Sequence, residues 1–401
     1  MPFRLLIAPV AALMLATLIG VSAEAGDYTD SAGRRVTLPD HVSRVLTAGP
    51  SADALVAVLA PNELMGWSRP PQPPYLPKGI ARLPVTGLML GPKAPDAAGT
   101  VARLHPDLVI AAGVVTPERA ALADQLQQET GVPVILVDDS MTRIAGVLRS
   151  VGAVLGVKDH AEDLAVYAEH AVDALRGRLL IQPASPRPRV YYARGADGLE
   201  TALPGSPAGE FLDEAGAINV AGVLGRGERV RVSVDQVQGW GPDIIIAEQR
   251  SFYNTVRRAP GWSHLSAVSG GKVYLAPASP FGWVDDPPGV NRLIGLYWMS
   301  DLLYRDATQE DLRDTVSEFY DTFYKVKLTD KDLDALVKPA EPPRSKDPME
   351  ALLGIDAPST AIPPLTLPGE PGRRGGNLPS TQGIVPPGMP MSPSPLAPPK
   401  Y

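Results

Sequence analysis

Between Lys158 and Leu180 the apolar residues Leu164, Ala168, Ala171, Leu175 and Leu179 recur at helical spacing, and Val172 widens the stripe. This pattern predicts an amphipathic helix. Asp159 can cap its start and Glu162 can reach back to it, as in a capping box. About six turns at 1.5 Å per residue would cross a small domain. On either side the pattern changes to short, wholly apolar runs: HPDLVIAAG from His105 to Gly113, and GPDIIIAEQ from Gly241 to Gln249. Each begins with a Pro-Asp turn and suits a strand buried on both faces of a parallel sheet. Each is followed by a helical segment and a second apolar strand, VPVILVDD in the first case and GKVYLAPAS in the second. The chain therefore reads as α/β: two lobes with parallel-rich sheets flanked by helices, joined by a single long helix.

The same patterns place the other elements. Asp27 to Leu38 predicts a hairpin turning at Ser31-Ala32-Gly33, and Val42 to Thr47 a strand that opens through Pro50 and Ser51 onto a helix from Ala52 to Leu59. Asn62 to Trp67 reads as the next strand with its approach, and RPPQPPYLP after it is too proline-rich for helix or central strand. Helices are expected over Ala97–Leu104, Pro117–Glu129 and Met141–Leu155, the last stopped by Gly156. In the second half, Arg189–Ala193 and Lys272–Ala276 read as strands. Pro207–Ala215, Val232–Gly239, Gly261–Ala267, the stretch from Val290, and Glu310–Tyr324 read as helices. Arg250-Ser251-Phe252-Tyr253 reads as a loop.

Length fits this division, since 401 residues exceed one ordinary core. The expected segments are 1–25 a leader, 26–157 an N-terminal lobe, 158–182 the joining helix, 183–337 a C-terminal lobe and 338–401 a tail. Arg4 followed by an apolar run from Leu5 to Val21 and by Ala23-Glu24-Ala25 has the form of a secretory signal peptide cleaved near Ala25. The run is shorter than the ~20 residues a retained spanning helix needs. The tail holds more than a third of the 44 prolines and few aromatics, a composition that predicts disorder. There is no cysteine, which excludes disulfides, thiolate metal sites, a cysteine nucleophile and lipid attachment at an N-terminal cysteine. A net charge of −7 gives no general attraction to nucleic acid.

The search for catalytic chemistry finds no nucleophile elbow, Walker loop or dinucleotide fingerprint. His41, His105, His160, His170 and His264 are scattered, so a zinc site built from them is not expected; His160 and His170 belong on the wet face of the joining helix. Candidate binding residues instead fall in loops at the carboxyl ends of the expected strands, where open α/β sheets take ligands. These loops carry Pro50 and Ser51, Trp67 and Arg69, and Asp138 to Met141 in the first lobe, and Arg194, Gln249 to Tyr253 and Ser279 to Trp283 in the second; the candidates among them are Ser51, Trp67, Arg69, Arg194, Arg250, Phe252, Tyr253, Phe281 and Trp283. Aromatic and arginine side chains there suit a large, flat or anionic ligand. Trp283 could equally pack its own lobe, and Arg194 could pair with Glu200 or Asp197. Asp285-Asp286 could hold a cation, but Pro287-Pro288 makes a turn the better use.

The order of several motifs adds a resemblance. DSAGRRVTLPDHVSRVLTAGPSADALVAVL, PDLVI, the long helix, PAGEFLDEAGAINVAG, VSVDQVQGWGPDIII and GGKVYLAP together resemble the periplasmic substrate-binding proteins of ATP-driven importers. The group resembled is the one with a rigid helix between lobes that serves ferric siderophores, haem and vitamin B12. The resemblance spans Tyr28 to Tyr324. It implies capture rather than catalysis, with ligand in a shallow cleft, no cofactor and no catalytic residue. It also implies a monomer in the periplasm that delivers its load to an inner-membrane permease. Relatives place one glutamate on each lobe to meet that permease; here Asp235 stands at the second position, while the first falls at Gly99 with Asp96 nearby. The ligand expected is an iron or other metal complex, with molybdate or tungstate as the oxyanion alternative. Two further readings are an enzyme on a two-lobed scaffold, weakened by the lack of cysteine, and a scaffold acting through its tail.

Overall fold

The computed structural model describes residues 26–72, 74–91, 93–94, 96–181, 186–304 and 312–338. The leader and the tail beyond Lys338 lie outside the described residues, as does residue 182 at the end of the expected joining helix.

Two all-parallel sheets form the frame. Val45–Thr47, Leu108–Ala112 and Val134–Val137 pair in that order, with Leu46 opposite Val109 and Val109 opposite Val134. Every residue of these strands is buried, and period-two alternation divides them between two cores. Val45, Leu108, Ile110, Ile135 and Val137 face one cluster, and Leu46, Val109, Ala111, Val134 and Leu136 the other. The second sheet has the order Val273–Leu275, Ile244–Ala247, Arg189–Ala193, Ile218–Asn219. Its alternation is the same: Val190, Tyr192, Ile244 and Ile246 on one side, Tyr191, Ala193, Ile245 and Ala247 on the other. Apolar residues at consecutive positions, rather than alternate ones, are what a sheet covered on both faces requires.

The joining helix runs from Lys158 to Ile181. Leu164, Ala168, Ala171, Val172 and Leu175 are buried as the stripe predicted, and Leu179 is half-buried. Asp159 lies inside the first turn, and Glu162 meets Arg149 at 2.7 Å instead of folding back on the cap. His160 is not simply wet: its Nε2 lies 2.9 Å from the Val58 carbonyl oxygen. The helix crosses Ile144–Val154 at close range, since a Cβ on Gly152 would stand 2.1 Å from the Ala161 methyl.

One hydrophobic cluster runs through both lobes and takes in one face of each sheet, the joining helix and the helices Pro50–Leu59, Pro207–Glu214, Arg292–Leu303 and Leu312–Tyr324. Leu312–Tyr324 packs on Pro50–Leu59, and its Phe319 and Phe323 meet Tyr167 of the joining helix at 6.0 and 5.3 Å. The lobes are thus joined by a shared core as well as by the helix.

The hairpin is Gly26–Thr29 with Arg35–Leu38. Asn62–Trp67 is shorter-paired than expected: it lies parallel beside Val45, with Val45 N donating to Glu63 O and Met65 N donating to Val45 O, and then leaves the sheet. Its end is taken up by the loop Pro84–Thr86: Trp67 N donates to Pro84 O, Thr86 N donates to Trp67 O, and Gly66 leaves no room there for a side chain. Arg250–Thr255 is a helix rather than a loop, and Glu200–Ala202 pairs antiparallel with Arg229–Arg231. No helix among the described residues is long and apolar enough to cross a membrane.

Candidate ligand-binding cleft

The carboxyl ends of Arg189–Ala193, Ile244–Ala247 and Val273–Leu275 open onto a cavity of about 640 Å³. Its far wall is the proline-rich loop of the N-terminal lobe, through Gln72, Pro74 and Tyr75. Polar side chains dominate: Glu248, Gln249, Arg250, Ser251, Ser279, Asp285 and Asp286 line it with Tyr192. A narrower groove continues from it past Arg69, Phe281 and Asp286 to Pro50 and Asp53.

Arg194 directly follows a buried strand, and its side chain is only 8% exposed. Its guanidinium reaches Glu248 at 2.9 Å and also bonds Asp285, while Nε stands buried with no partner among the described residues. Cζ lies 5.7 Å from the centre of the Tyr192 ring. Neither expected surface partner is used: Asp197 pairs with Arg231, and the Glu200 carboxylate lies 3.8 Å from Arg229. Burial works against the Arg194 charge, but Asp285 and Glu248 outweigh it and hold its pKa above the ordinary value. Glu248 is raised by the same burial, opposed by Arg194. Across the cleft, Arg69 of the N-terminal lobe meets Asp286 at 2.7 Å. The Asp285-Asp286 pair is therefore neither a cation site nor a bare turn; each carboxylate holds an arginine. Among the described residues no group of three His, Cys, Asp or Glu is placed to hold a metal ion.

The aromatic residues expected to face ligand are placed elsewhere. Trp67 is fully buried, donates from Nε1 to Ile80 O at 2.9 Å, and packs on Phe281 at 6.0 Å. Phe281 is 6% exposed. Phe252 and Tyr253 point from their helix into the outer core of the C-terminal lobe, Phe252 edge-on to Trp262 at 4.8 Å. Trp283 is 0% exposed, with Nε1 donating to the Tyr320 hydroxyl at 3.3 Å. The cause is common to all five: each is among the most apolar residues of its loop, and a shared interlobe or lobe core is within reach. Arg250 is exposed at the cavity mouth, and Ser51 is 9% exposed in the first turn of Pro50–Leu59. Of the nine expected site residues, Arg250 lines the cavity, Arg69 lines the groove beside the buried rings of Trp67 and Phe281, and Arg194 stands behind the cavity, paired with its Glu248 and Asp285. Gln249, expected in this loop, and Asp285, expected in a turn, line the cavity together with Glu248, which had no expected role; Glu248 is the first polar residue after a wholly apolar strand, which is the available signal.

The loop that carries Arg69 is anchored from below. Asp53, 1% exposed, accepts from Ser68 Oγ at 2.6 Å and Ser68 N at 3.0 Å, and from Thr47 Oγ1. Burial pushes its carboxyl up to about 6, against these hydrogen bonds. A carboxyl whose folded pKa lies above its unfolded value binds protons more tightly when folded. Its contribution is present below the unfolded value and lost as pH rises to about 6. Asp53→Asn should therefore make the fall of unfolding free energy between pH 4 and 6 shallower, by up to ~1.4 kcal/mol per pH unit. Urea titrations across that range measure it, and an unchanged slope would show that Asp53 does not titrate there.

A second cavity, of about 580 Å³, lies along another part of the interlobe seam. Arg292 is fully buried between it and the core. It reaches Glu210 at 3.2 Å and donates to Asp139 O. Glu210 in turn accepts from Met141 N at 3.1 Å. This clasp ties Pro207–Glu214 to the end of Val134–Val137. Burial pushes Asp139 up to about 6, opposed by Arg292.

The two expected docking carboxylates are exposed. Asp96 precedes Ala97–Leu104 and hangs over Gly99, 3.8 Å from Arg103. Asp235 stands in the first turn of Val234–Trp240, a helix opened by a capping box of Ser233 and Gln236.

Residues 99–280 match the family model of periplasmic binding proteins. No curated protein matches the chain. Among solved structures it is similar to an ABC transporter solute binding protein from Sulfurospirillum deleyianum DSM 6946, at 29% identity over 78% of this chain and 99% of that one, with a TM-score of 0.68. It shares its fold with the molybdate-bound periplasmic protein MolA of Haemophilus influenzae, at 21% identity over 76% of this chain and 99% of that one, TM-score 0.65. It shares it also with CeuE of Helicobacter pylori, with Ni(II) bound, at 16% identity over 78% and 99%, TM-score 0.62.

Proposed function

We infer that this chain, which carries the fold and over residues 99–280 the family signature of periplasmic binding proteins, captures an anionic metal-containing solute. The solute is a metal oxyanion or a negatively charged metal chelate, and it is taken up in the cleft between the lobes. The observation that carries the reading is that Arg69 and Arg194, from opposite lobes, pair with the carboxylates Asp286, Asp285 and Glu248 that line one polar cavity, which Arg250 lines as well. Arginine forks suit oxyanions and carboxylate-bearing chelates. Metal-containing solutes are within the range of the fold, since molybdate and Ni(II) are bound by two proteins that share it. With Trp67, Phe252, Phe281 and Trp283 buried, Tyr75 and Tyr192 are the aromatic residues lining the cavity among mostly polar side chains, which favours a compact anionic solute over a flat one such as haem. The loaded protein would dock on an importer permease, with exposed Asp96 and Asp235 as the contacts.

Isothermal titration with molybdate, tungstate, and anionic ferric and nickel chelates tests this. One of them should bind with a micromolar or lower Kd, and Arg69→Gln should weaken it about tenfold, the value of one charge-assisted hydrogen bond. Preference for a neutral complex, or indifference to Arg69→Gln, would overturn the assignment.

A further inference from the structure

We propose that Asp285 and Asp286 are placeholders for the ligand: in the empty cleft they hold Arg194 and Arg69, and an incoming solute takes their place with its own anionic oxygens. The inference rests on the cleft being the ligand site and deepens that reading by naming the chemistry the ligand must carry.

Three observations support it. First, two carboxylates adjacent in sequence serve arginines of different lobes. Asp286 has a φ of +54°, in the left-handed region, so the backbone turns between the two residues, and Asp285 meets Arg194 of its own lobe while Asp286 crosses to Arg69. Aspartate is one of the few non-glycine residues that enter that region, and such positions gather at ligand clamps. Second, the two arginines are secured differently. Arg69 and Asp286 are 39% and 45% exposed, so their pair is weak and exchangeable. Arg194 keeps Glu248 at 2.9 Å when Asp285 withdraws, so release of one carboxylate never leaves it alone in a buried site. Third, without the placeholders Arg69 would stand in the empty cleft with no counter-ion and Arg194 with Glu248 alone, and the two aspartates supply the missing charges.

The exchange sets specificity. A neutral solute cannot repay the two ion pairs it disrupts, whereas a solute with two anionic oxygen groups, or a dianionic oxyanion, replaces them in kind. The ligand class is therefore a solute that presents anionic oxygen to both lobes at once.

The test uses the full chain with molybdate and sulfate as probes. Asp286→Asn keeps a half-exposed side chain of the same shape, and an unchanged melting temperature confirms the fold. It frees Arg69 and should tighten molybdate about tenfold. Asp332→Asn is the control, because Asp332 meets Tyr75 beside the same cavity but otherwise holds Thr329; it should change little. No gain in Asp286→Asn, an equal gain in Asp332→Asn, or no retention of either probe by wild type and Asp286→Asn alike would overturn the proposal. The two readings fail separately. If Asp286→Asn retains molybdate while the wild type takes no metal-containing anion, the placeholder stands and the proposed function falls. Tight wild-type binding with no gain in the variant does the reverse.

Discussion

Trp283→Ala is expected to lower the unfolding free energy by about 3–5 kcal/mol, while the protein that remains folded keeps its affinity for ligand. Trp283 is fully buried in the cluster shared by both lobes, and its indole nitrogen donates to Tyr320. Its backbone is pressed against the helix Arg292–Leu303, where a Cβ on Gly295 would lie 1.8 Å from Trp283 O. The site cannot collapse around a missing indole, because the loop above it is pinned by Asn291 Nδ2 donating to Phe281 O at 3.1 Å and by Trp283 N donating to Pro277 O at 3.0 Å. The cavity term is then added in full to the transfer term. Urea denaturation gives the stability and titration calorimetry the affinity. A variant of near wild-type stability that has lost its ligand would return Trp283 to the cleft.

Glu210→Ala is expected to cost ~3 kcal/mol, the lower end of the range for a broken buried pair, because Glu210 itself is 25% exposed. The loss falls on Arg292, which is 0% exposed and would be left charged with only carbonyl partners. Met141 N would also lose its acceptor across the seam between the lobes. The double variant Glu210→Leu, Arg292→Met should recover only part of the loss, because no guanidinium is then stranded but Asp139 loses the charge that opposes its burial. Chemical denaturation of the three variants decides the matter. A single variant within about 0.5 kcal/mol of wild type, as for an ordinary surface site, would mean that the clasp contributes nothing.

Leu108–Ala112 and Ile244–Ala247 were legible because every residue is apolar and a Pro-Asp turn precedes each. The joining helix was legible because Leu164, Ala168, Ala171 and Leu175 repeat at one helical period. Asn62–Trp67 was legible only in part: Glu63 to Met65 lie beside Val45 as a strand would, but the partners of Trp67 lie some twenty residues on, in Pro84–Thr86. The cleft was half legible. Arg69 and Arg194 were found by their place after buried strands, but their partners Asp286, Asp285 and Glu248 lie from 54 to 217 residues away in sequence and share no local pattern with them.

The sequence by itself determined the α/β class, the two parallel sheets, the helix between them and the loops that could carry a site, because burial periodicity and turn chemistry act over a few residues. Only the tertiary structure decided that the aromatic residues of those loops turn inward to a core common to both lobes, and that the arginines remain at the cleft with carboxylates as counter-ions. Burial of an indole and pairing of a guanidinium depend on what other segments bring within a few ångströms, and period and propensity do not record that.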